Sequence, residues 1–263
     1  MALNSVQVVI MCGGLGTRLR EETEFRPKPM VNIGNRPILW HIMKIYAHYG
    51  FKEFILCLGY KGEMIKEYFC HYEFMNSDVT LKLGSPENTC IHQSHEENGW
   101  QVTLSDTGEK ALKGARLKKV EKYITGNDFM LTYGDGVADI DINALLTFHR
   151  SHGKLATVTG VNRASRFGEL KIDGNKVLAF NEKPEMNSDF VNAGFFVFNR
   201  RIFDYLSADD DCDLETGALE KIASEGELMV YRHAGSWACM DTLRDMDFLN
   251  QLWNENKAFW NVW

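Results

Sequence analysis

No stretch of this 263-residue chain reaches the roughly 18 consecutive apolar residues of a membrane span. The N-terminal apolar run Val8–Cys12 stops at Gly13-Gly14, too short for a signal-peptide core. Basic side chains are in the minority, 29 against 36 acidic ones, for a formal net charge of −7. A general nucleic-acid binder needs a basic surplus on one face, so that class is excluded; a small phosphorylated ligand needs only a few local cations. Prolines number only 5 and no Pro- or Ser-rich linker divides the chain, while 12% aromatic content is not the composition of a disordered protein. The six cysteines never fall in a Cys-x-x-Cys spacing. They are expected to be buried small hydrophobes in a reducing compartment, which makes the cytoplasm the expected location. His92-x-x-His95 and His149-x-x-His152 each lack a third ligand nearby, which argues against structural zinc.

What is present is an alternation of strand-like and helix-like segments. Val6–Met11 is a continuous apolar run ending in glycines, the form of a buried parallel strand. Ile38–Tyr49 reads as a helix between Pro37 and Gly50, Glu53–Leu58 as a strand, and Glu63–Tyr72 as a second helix. Phe129–Tyr133 and Ala156–Val161 read as strands around a helix over Ile142–His152. This βαβ rhythm implies a parallel sheet with helices on both faces. Beyond residue 160 the rhythm changes. Asp173-Gly174-Asn175 predicts a hairpin between Glu169–Asp173 and Lys176–Phe180. Phe190–Phe198 and Leu228–His233 read as strands, Leu214–Glu225 as a helix, and Thr242–Glu255 as a closing helix with the capping box Thr242-x-x-Asp245. The reading is one α/β domain over 1–263, with a mixed, mainly parallel sheet flanked by helices and a small β-hairpin insertion.

Two stretches carry chemistry. Gly13-Gly14-Leu15-Gly16-Thr17-Arg18 follows the first strand directly, where a glycine turn lets backbone N–H groups approach phosphate oxygens. It is not a Walker A loop, since no Gly-Lys-Ser/Thr follows, and Leu19 spoils a dinucleotide fingerprint. Arg18 and Lys28, in Arg26-Pro27-Lys28-Pro29-Met30, put two cations beside the turn, suiting a triphosphate; a tight turn with solvated cations is the alternative. Asp135, in Tyr133-Gly134-Asp135-Gly136, stands at the C-terminal end of a strand, where open α/β sheets bind ligands. With Asp241 it could hold Mg²⁺, which takes one or two carboxylates plus substrate phosphates. Each aspartate by itself also reads as a turn or capping residue.

Taken in order, these segments, with Glu182-Lys183-Pro184, Asn192-Ala193-Gly194 and Met240-Asp241, resemble the sugar-1-phosphate nucleotidyltransferases over essentially the whole chain. Gly59-Tyr60-Lys61-Gly62, Asp106-Thr107-Gly108 and Met240-Asp241-Thr242-Leu243-Arg244-Asp245 are most similar to the glucose-1-phosphate cytidylyltransferase branch. The chain departs from that pattern at Met11-Cys12, where Leu-Ala is usual, and over Glu109–Ala115, where Lys113-Gly114-Ala115 replaces Thr-Gly-Gly.

The resemblance implies a Rossmann-like fold, with nucleotide bound by residues 1–160 and sugar phosphate by 161–263. It implies that CTP and glucose 1-phosphate give CDP-glucose and pyrophosphate, with Mg²⁺ held by Asp135 and Asp241. Arg18 would hold the leaving phosphates and Lys28 would bridge the α-phosphate and the sugar phosphate. Gly13, Gly14, Gly16, Thr17 and Gly134 would cradle the nucleotide, with Thr107 and Arg116 near the base. Glu182, Lys183, Asn192 and Gly194 would line the sugar side; without the resemblance, Glu182 and Lys183 read as a surface ion pair and Asn192 as a turn residue. The same chemistry with UTP or dTTP, and a silent regulator that senses nucleotide sugar, are the alternatives. Retention of Arg18, Lys28, Asp135 and Asp241 favours the enzyme. A homo-oligomer is expected, and the indole-rich tail Trp253–Trp263 is expected to dock on its own domain or on a neighbouring subunit.

Overall fold

Successive residues of a strand face opposite sides of its sheet, so a strand apolar throughout must be covered on both. In a computed structural model, which describes residues 6–84, 89–92, 95–162, 169–173, 176–181 and 190–263, strand β1 (Val8–Met11) is such a strand. Val8 and Ile10 enter one apolar core and Val9 and Met11 the other. Helix α1 (Ile38–His48) leads to β2 (Glu53–Leu58), and α2 (Gly62–Cys70) precedes β3 (Gln101–Asp106). Helix α3 (Lys113–Lys119) then leads to β4 (Asp128–Tyr133) and the short β5 (Gly136–Ala138). Helix α4 (Ile142–His152) is followed by β6 (Ala156–Asn162), β7 (Phe190–Asn199), β8 (Leu228–His233), β9 (Trp237–Cys239) and α5 (Leu243–Asn254).

Seven strands form one sheet in the order β8-β6-β7-β4-β1-β2-β3. Its pairings are parallel except those of β7, which runs against both β6 and β4. The mixed, mostly parallel sheet flanked by helices is the architecture expected. Strand β3 was not foreseen, because as an edge strand it pairs, among the described residues, with β2 alone and most of its side chains are half-buried or exposed, leaving no apolar run.

The local expectations hold with shifted ends. Thr242 caps α5 through a capping box: its hydroxyl takes the Asp245 N–H at 3.3 Å, and the Asp245 carboxylate takes the Thr242 N–H at 3.0 Å. Glu169–Asp173 pairs antiparallel with Lys176–Asn181, while the turn residues Gly174 and Asn175 lie outside the described residues. The segment from Leu214 opens as a π-helical turn to Leu219 and becomes α-helical only over Glu220–Ser224. Cysteines Cys12 and Cys57 are buried as expected, but Cys70 and Cys90 are exposed, and none of the six is in a disulfide. No helix among the described residues is long and apolar enough to cross a membrane.

The indole-rich tail folds back on its own chain. Trp260 is fully buried against α1, where its indole N–H donates to His41 Nδ1 at 3.3 Å, and His41 Nε2 donates to the Ile33 carbonyl at 3.0 Å. Trp253 and Trp263 pack edge-on and tilted against the same imidazole. Those partners require neutral His41, and burial lowers its pKa to about 4, with the nearby Arg36 charge acting in the same direction.

Candidate active site

The site forms where β1 and β4 end side by side. Beyond Met11 the chain turns through Gly13–Arg18, and Gly16 holds a left-handed φ of +64° with the Thr23 hydroxyl donating to its carbonyl at 3.0 Å. A side chain at Gly13 would overlap the guanidinium of Arg116. That guanidinium is buried behind the loop. It donates to the carbonyls of Gly13 (3.0 Å), Leu58 (3.1 Å), Gly108 (2.7 Å) and Glu109 (3.1 Å) and to the Thr107 hydroxyl (2.9 Å). Thr107 in turn donates to the Leu58 carbonyl at 2.6 Å. Both residues expected near the base are thus joined to the protein's own backbone, and their visible work is to hold the loops that follow β1, β2 and β3.

Two strands that are remote in sequence bring the carboxylates together. Strand β9 pairs antiparallel with β5, and the Met240 N–H extends the ladder to the Asp135 carbonyl at 2.8 Å. This delivers Asp241 beside Asp135. Lys28, in a single 3-10 turn between Pro27 and Pro29, places Nζ between them, 2.6 Å from Asp135 Oδ2 and 2.5 Å from Asp241 Oδ1. Arg18, 73% exposed, reaches Asp241 Oδ2 at 3.0 Å. Burial alone would lower the pKa of Lys28, but the two carboxylates outweigh it and hold the ammonium above its usual value. Burial would likewise raise Asp241, and the Lys28 and Arg18 cations instead hold it below the usual carboxylate range.

A cavity of about 470 Å³ opens over this cluster. Gly13, Gly14, Gly16, Thr17, Arg18 and Lys28 line one side of it. Gly134, Asp135 and Arg116 also reach it. Asp241 joins through its contacts with Lys28 and Arg18, and Thr107 stands behind Arg116. Gly194 lies against the Tyr133 ring, and Asn192 Nδ2 donates to the Tyr133 hydroxyl at 3.4 Å. Glu182 and Lys183 lie outside the described residues.

A glycine turn, two cations and two carboxylates at adjacent strand ends point to phosphate chemistry, and the family model described as nucleotidyl transferase matches residues 7–254. The chain belongs to the nucleotidyl transferase family. It is 48% identical over 259 residues to the glucose-1-phosphate cytidylyltransferase of Salmonella typhi, covering 98% of this chain and 100% of that one. It is 30% identical to the mannose-1-phosphate guanylyltransferase catalytic subunit beta of Dictyostelium discoideum, covering 93% of this chain and 63% of that one. Among solved structures, UDP-glucose pyrophosphorylase complexed with UDP-glucose matches with a TM-score of 0.67 at 15% identity, covering 95% and 99% of the two chains. HddC from Yersinia pseudotuberculosis matches with a TM-score of 0.65 at 22% identity, covering 94% and 99%. At those identities the likeness establishes the shared Rossmann-like fold.

Sequence reasoning missed four residues around this nucleotidyl transferase cavity. Lys113, Tyr133 and Asp213 line it, Tyr133 having entered before only as the end of a strand and the residue preceding Gly134-Asp135. Glu215 stands behind them, accepting from the Tyr133 hydroxyl at 2.5 Å and pairing with Lys113. Burial raises the pKa of Tyr133, and Glu215 adds to the shift. Burial raises Asp213 too, but hydrogen bonds led by Thr216 outweigh it and hold the carboxyl below its usual value. The available signal was weak: Asp213-x-x-Thr216 is an ordinary helix-start pattern, and Glu215 is one acid in an acidic stretch.

The histidines of the two pairs bond to neighbouring side chains, His92 Nε2 to the Thr80 hydroxyl at 3.0 Å and His95 Nε2 to Glu73 at 2.8 Å. His149 and His152 both bond the Thr157 hydroxyl, at 2.9 and 2.8 Å, and burial lowers the pKa of His149 to about 4. No group of three or more His, Cys, Asp or Glu among the described residues could hold a metal ion.

Proposed function

We propose that this chain transfers the cytidylyl group of CTP to glucose 1-phosphate, giving CDP-glucose and pyrophosphate. The observation that carries this reading is the Asp135–Lys28–Asp241 cluster beside the glycine turn, in a chain 48% identical to a glucose-1-phosphate cytidylyltransferase. An oxygen of the sugar phosphate forms a bond to the α-phosphorus while the bond from that phosphorus to the bridging oxygen breaks. The electron pair leaves with pyrophosphate. The nucleophile is already anionic, so the protein's task is placement and charge neutralisation.

Each residue has a role in that task. The turn Gly13–Thr17, with Gly134, cradles the nucleotide, and Arg18 neutralises the leaving phosphates. Lys28 stands between the α-phosphate and the sugar phosphate. Thr107 and Arg116 support the base end by holding the loop. Glu182, Lys183, Asn192 and Gly194 take the sugar side. Asp135 and Asp241 would hold Mg²⁺: two hard carboxylate oxygens already embrace one cation, the Lys28 ammonium, and substrate phosphates would complete the shell. When bound, the ion withdraws charge from the α-phosphate.

In this reading the whole chain works as one unit, with nucleotide on residues 1–160 and sugar phosphate on 161–263. It acts in the cytoplasm on small molecules as a homo-oligomer. Exposed Phe74, Met75, Leu81, Leu83 and Ile91 supply apolar surface for such an interface. Pyrophosphate release measured across CTP, UTP, dTTP and GTP, with glucose 1-phosphate and mannose 1-phosphate, tests the assignment. Highest kcat/KM for CTP with glucose 1-phosphate is expected. Comparable values for CTP and dTTP would overturn the base assignment, and absence of release with every pair would leave a nucleotide-sugar sensor.

A further inference from the structure

Lys113 opens helix α3 on the cavity wall, in the stretch where the chain departs from the family pattern. A lysine at a pocket rim is ordinarily free to swing, but this one is fastened. Its ammonium pairs with Glu215 Oε1 and lies 4.9 Å from the centre of the Tyr133 ring. The Tyr133 hydroxyl donates to the same carboxylate oxygen at 2.5 Å, so ring, ammonium and carboxylate lock one another. An ammonium has three N–H donors, and the pairing with Glu215 leaves donors for a ligand.

The charge balance at this end says what kind of ligand group belongs there. Asp213 faces the same cavity, and its carboxylate accepts from Leu214 N (2.9 Å), Thr216 N (3.4 Å) and the Thr216 hydroxyl (2.9 Å). A carboxylate offers about four acceptor positions, so capacity remains. Asp213 and Glu215 together outweigh the one cation, which makes this end unfavourable to phosphate. The phosphate end is already supplied by the glycine turn, Arg18 and Lys28. A group flanked by a spare ammonium donor and a spare carboxylate acceptor should both accept and donate, and a hydroxyl does both.

We propose that Lys113 and Asp213 bind a ribose hydroxyl of the nucleotide, with Glu215 as the positioning residue that holds the Lys113 ammonium toward the cavity. The inference rests on the nucleotide reading above but not on which base is used. It makes Lys113 a specificity-determining residue for ribonucleotides over their deoxy analogues.

The test measures kcat/KM for the ribonucleoside triphosphate and its 2′-deoxy and 3′-deoxy analogues, with CTP or whichever base the wild type turns over. The choice of base therefore fails or stands separately. Wild type should discriminate against at least one deoxy analogue by roughly tenfold or more, since a polar site left unpaired by its ligand rejects it. Lys113→Met should shrink that ratio about fivefold or more by lowering the ribonucleotide value much more than the deoxy one. Lys113→Arg should keep part of the ratio. Glu215→Gln, which keeps the side-chain shape and removes the charge, should shrink the ratio in the same direction. A structural defect would lower all substrates alike. Equal loss for ribo and deoxy substrates in Lys113→Met, or no discrimination by the wild type, overturns the proposal.

Discussion

Lys28→Ala removes the one cation that stands between Asp135 and Asp241, and its consequence for catalysis can be worked from the geometry. The ammonium lies 2.6 and 2.5 Å from the two carboxylates and is only 12% exposed, so solvent screens it poorly. During reaction a sugar phosphate of about two negative charges approaches a triphosphate of about four, and repulsion grows as they meet. A charge-assisted contact contributes about 1.5–3 kcal/mol, and more where water is excluded. That corresponds to a fall in kcat of roughly tenfold to somewhat over a hundredfold. KM for CTP should move much less, because in the proposed roles Arg18 and the glycine turn still hold the triphosphate. Pro27 and Pro29 restrict the backbone around Lys28, which lowers the entropy lost on placing its ammonium. Lys28→Arg should recover only part of the rate, since a planar guanidinium does not fit the same point between two phosphates. The same truncation leaves two facing carboxylates with only the exposed Arg18, at Asp241, as counter-ion. Thermal unfolding of Lys28→Ala should therefore begin lower than wild type and recover more on adding Mg²⁺. The assay is steady-state pyrophosphate release over a matrix of both substrates. A raised KM with kcat unchanged would show that Lys28 contributes uniform binding, and the reasoning would be wrong.

Two further outcomes are expected. Asp135→Asn should abolish turnover while the far-UV circular dichroism and the unfolding midpoint stay near wild type; full activity in this variant, or in wild type with excess chelator, would refute metal binding by the two carboxylates. His41, buried and bonded as a neutral imidazole, should make stability fall in acid. Its pKa is about 4 in the folded chain against 6.5 ordinarily, so below pH 6.5 the unfolded chain binds a proton that the folded one refuses. Stability should decline from pH 6.5 to about 4 by about 3 kcal/mol at most from this group, and His149, shifted the same way, adds to the decline. Denaturant titrations at pH 7 and pH 5, followed by tryptophan fluorescence, check this; His41→Gln should lessen the slope, and an unchanged slope would remove His41 as its source.

Much of the fold was legible because its signals are local. Val8–Met11, Glu53–Leu58 and Asp128–Tyr133 are apolar on both faces, which only a strand covered on two sides requires. Thr242 and Asp245 announce the start of α5 from three residues apart. The polar edge strand β3 was not legible, since it needs only one partner and one covered face. Nor was the π-helical opening at Leu214–Leu219, where the composition is that of any helix start.

By itself, the sequence determined the layered α/β architecture, the glycine turn after the first strand, and the residue types able to meet phosphate. These follow from hydrophobic period and backbone sterics, which act over a few residues. Only the tertiary structure decided that Asp135 and Asp241 lie across one ammonium, because the β5–β9 pairing that joins them spans about a hundred residues of chain and is made of backbone hydrogen bonds that carry no side-chain signature. It likewise decided that Arg116 is spent on backbone carbonyls behind the loop, and that Lys113, Tyr133 and Glu215 meet at the cavity wall. Which charges end up facing one another is set by the packing of α3 and the Leu214–Leu219 turn over the end of β4, and no spacing along the chain records that packing.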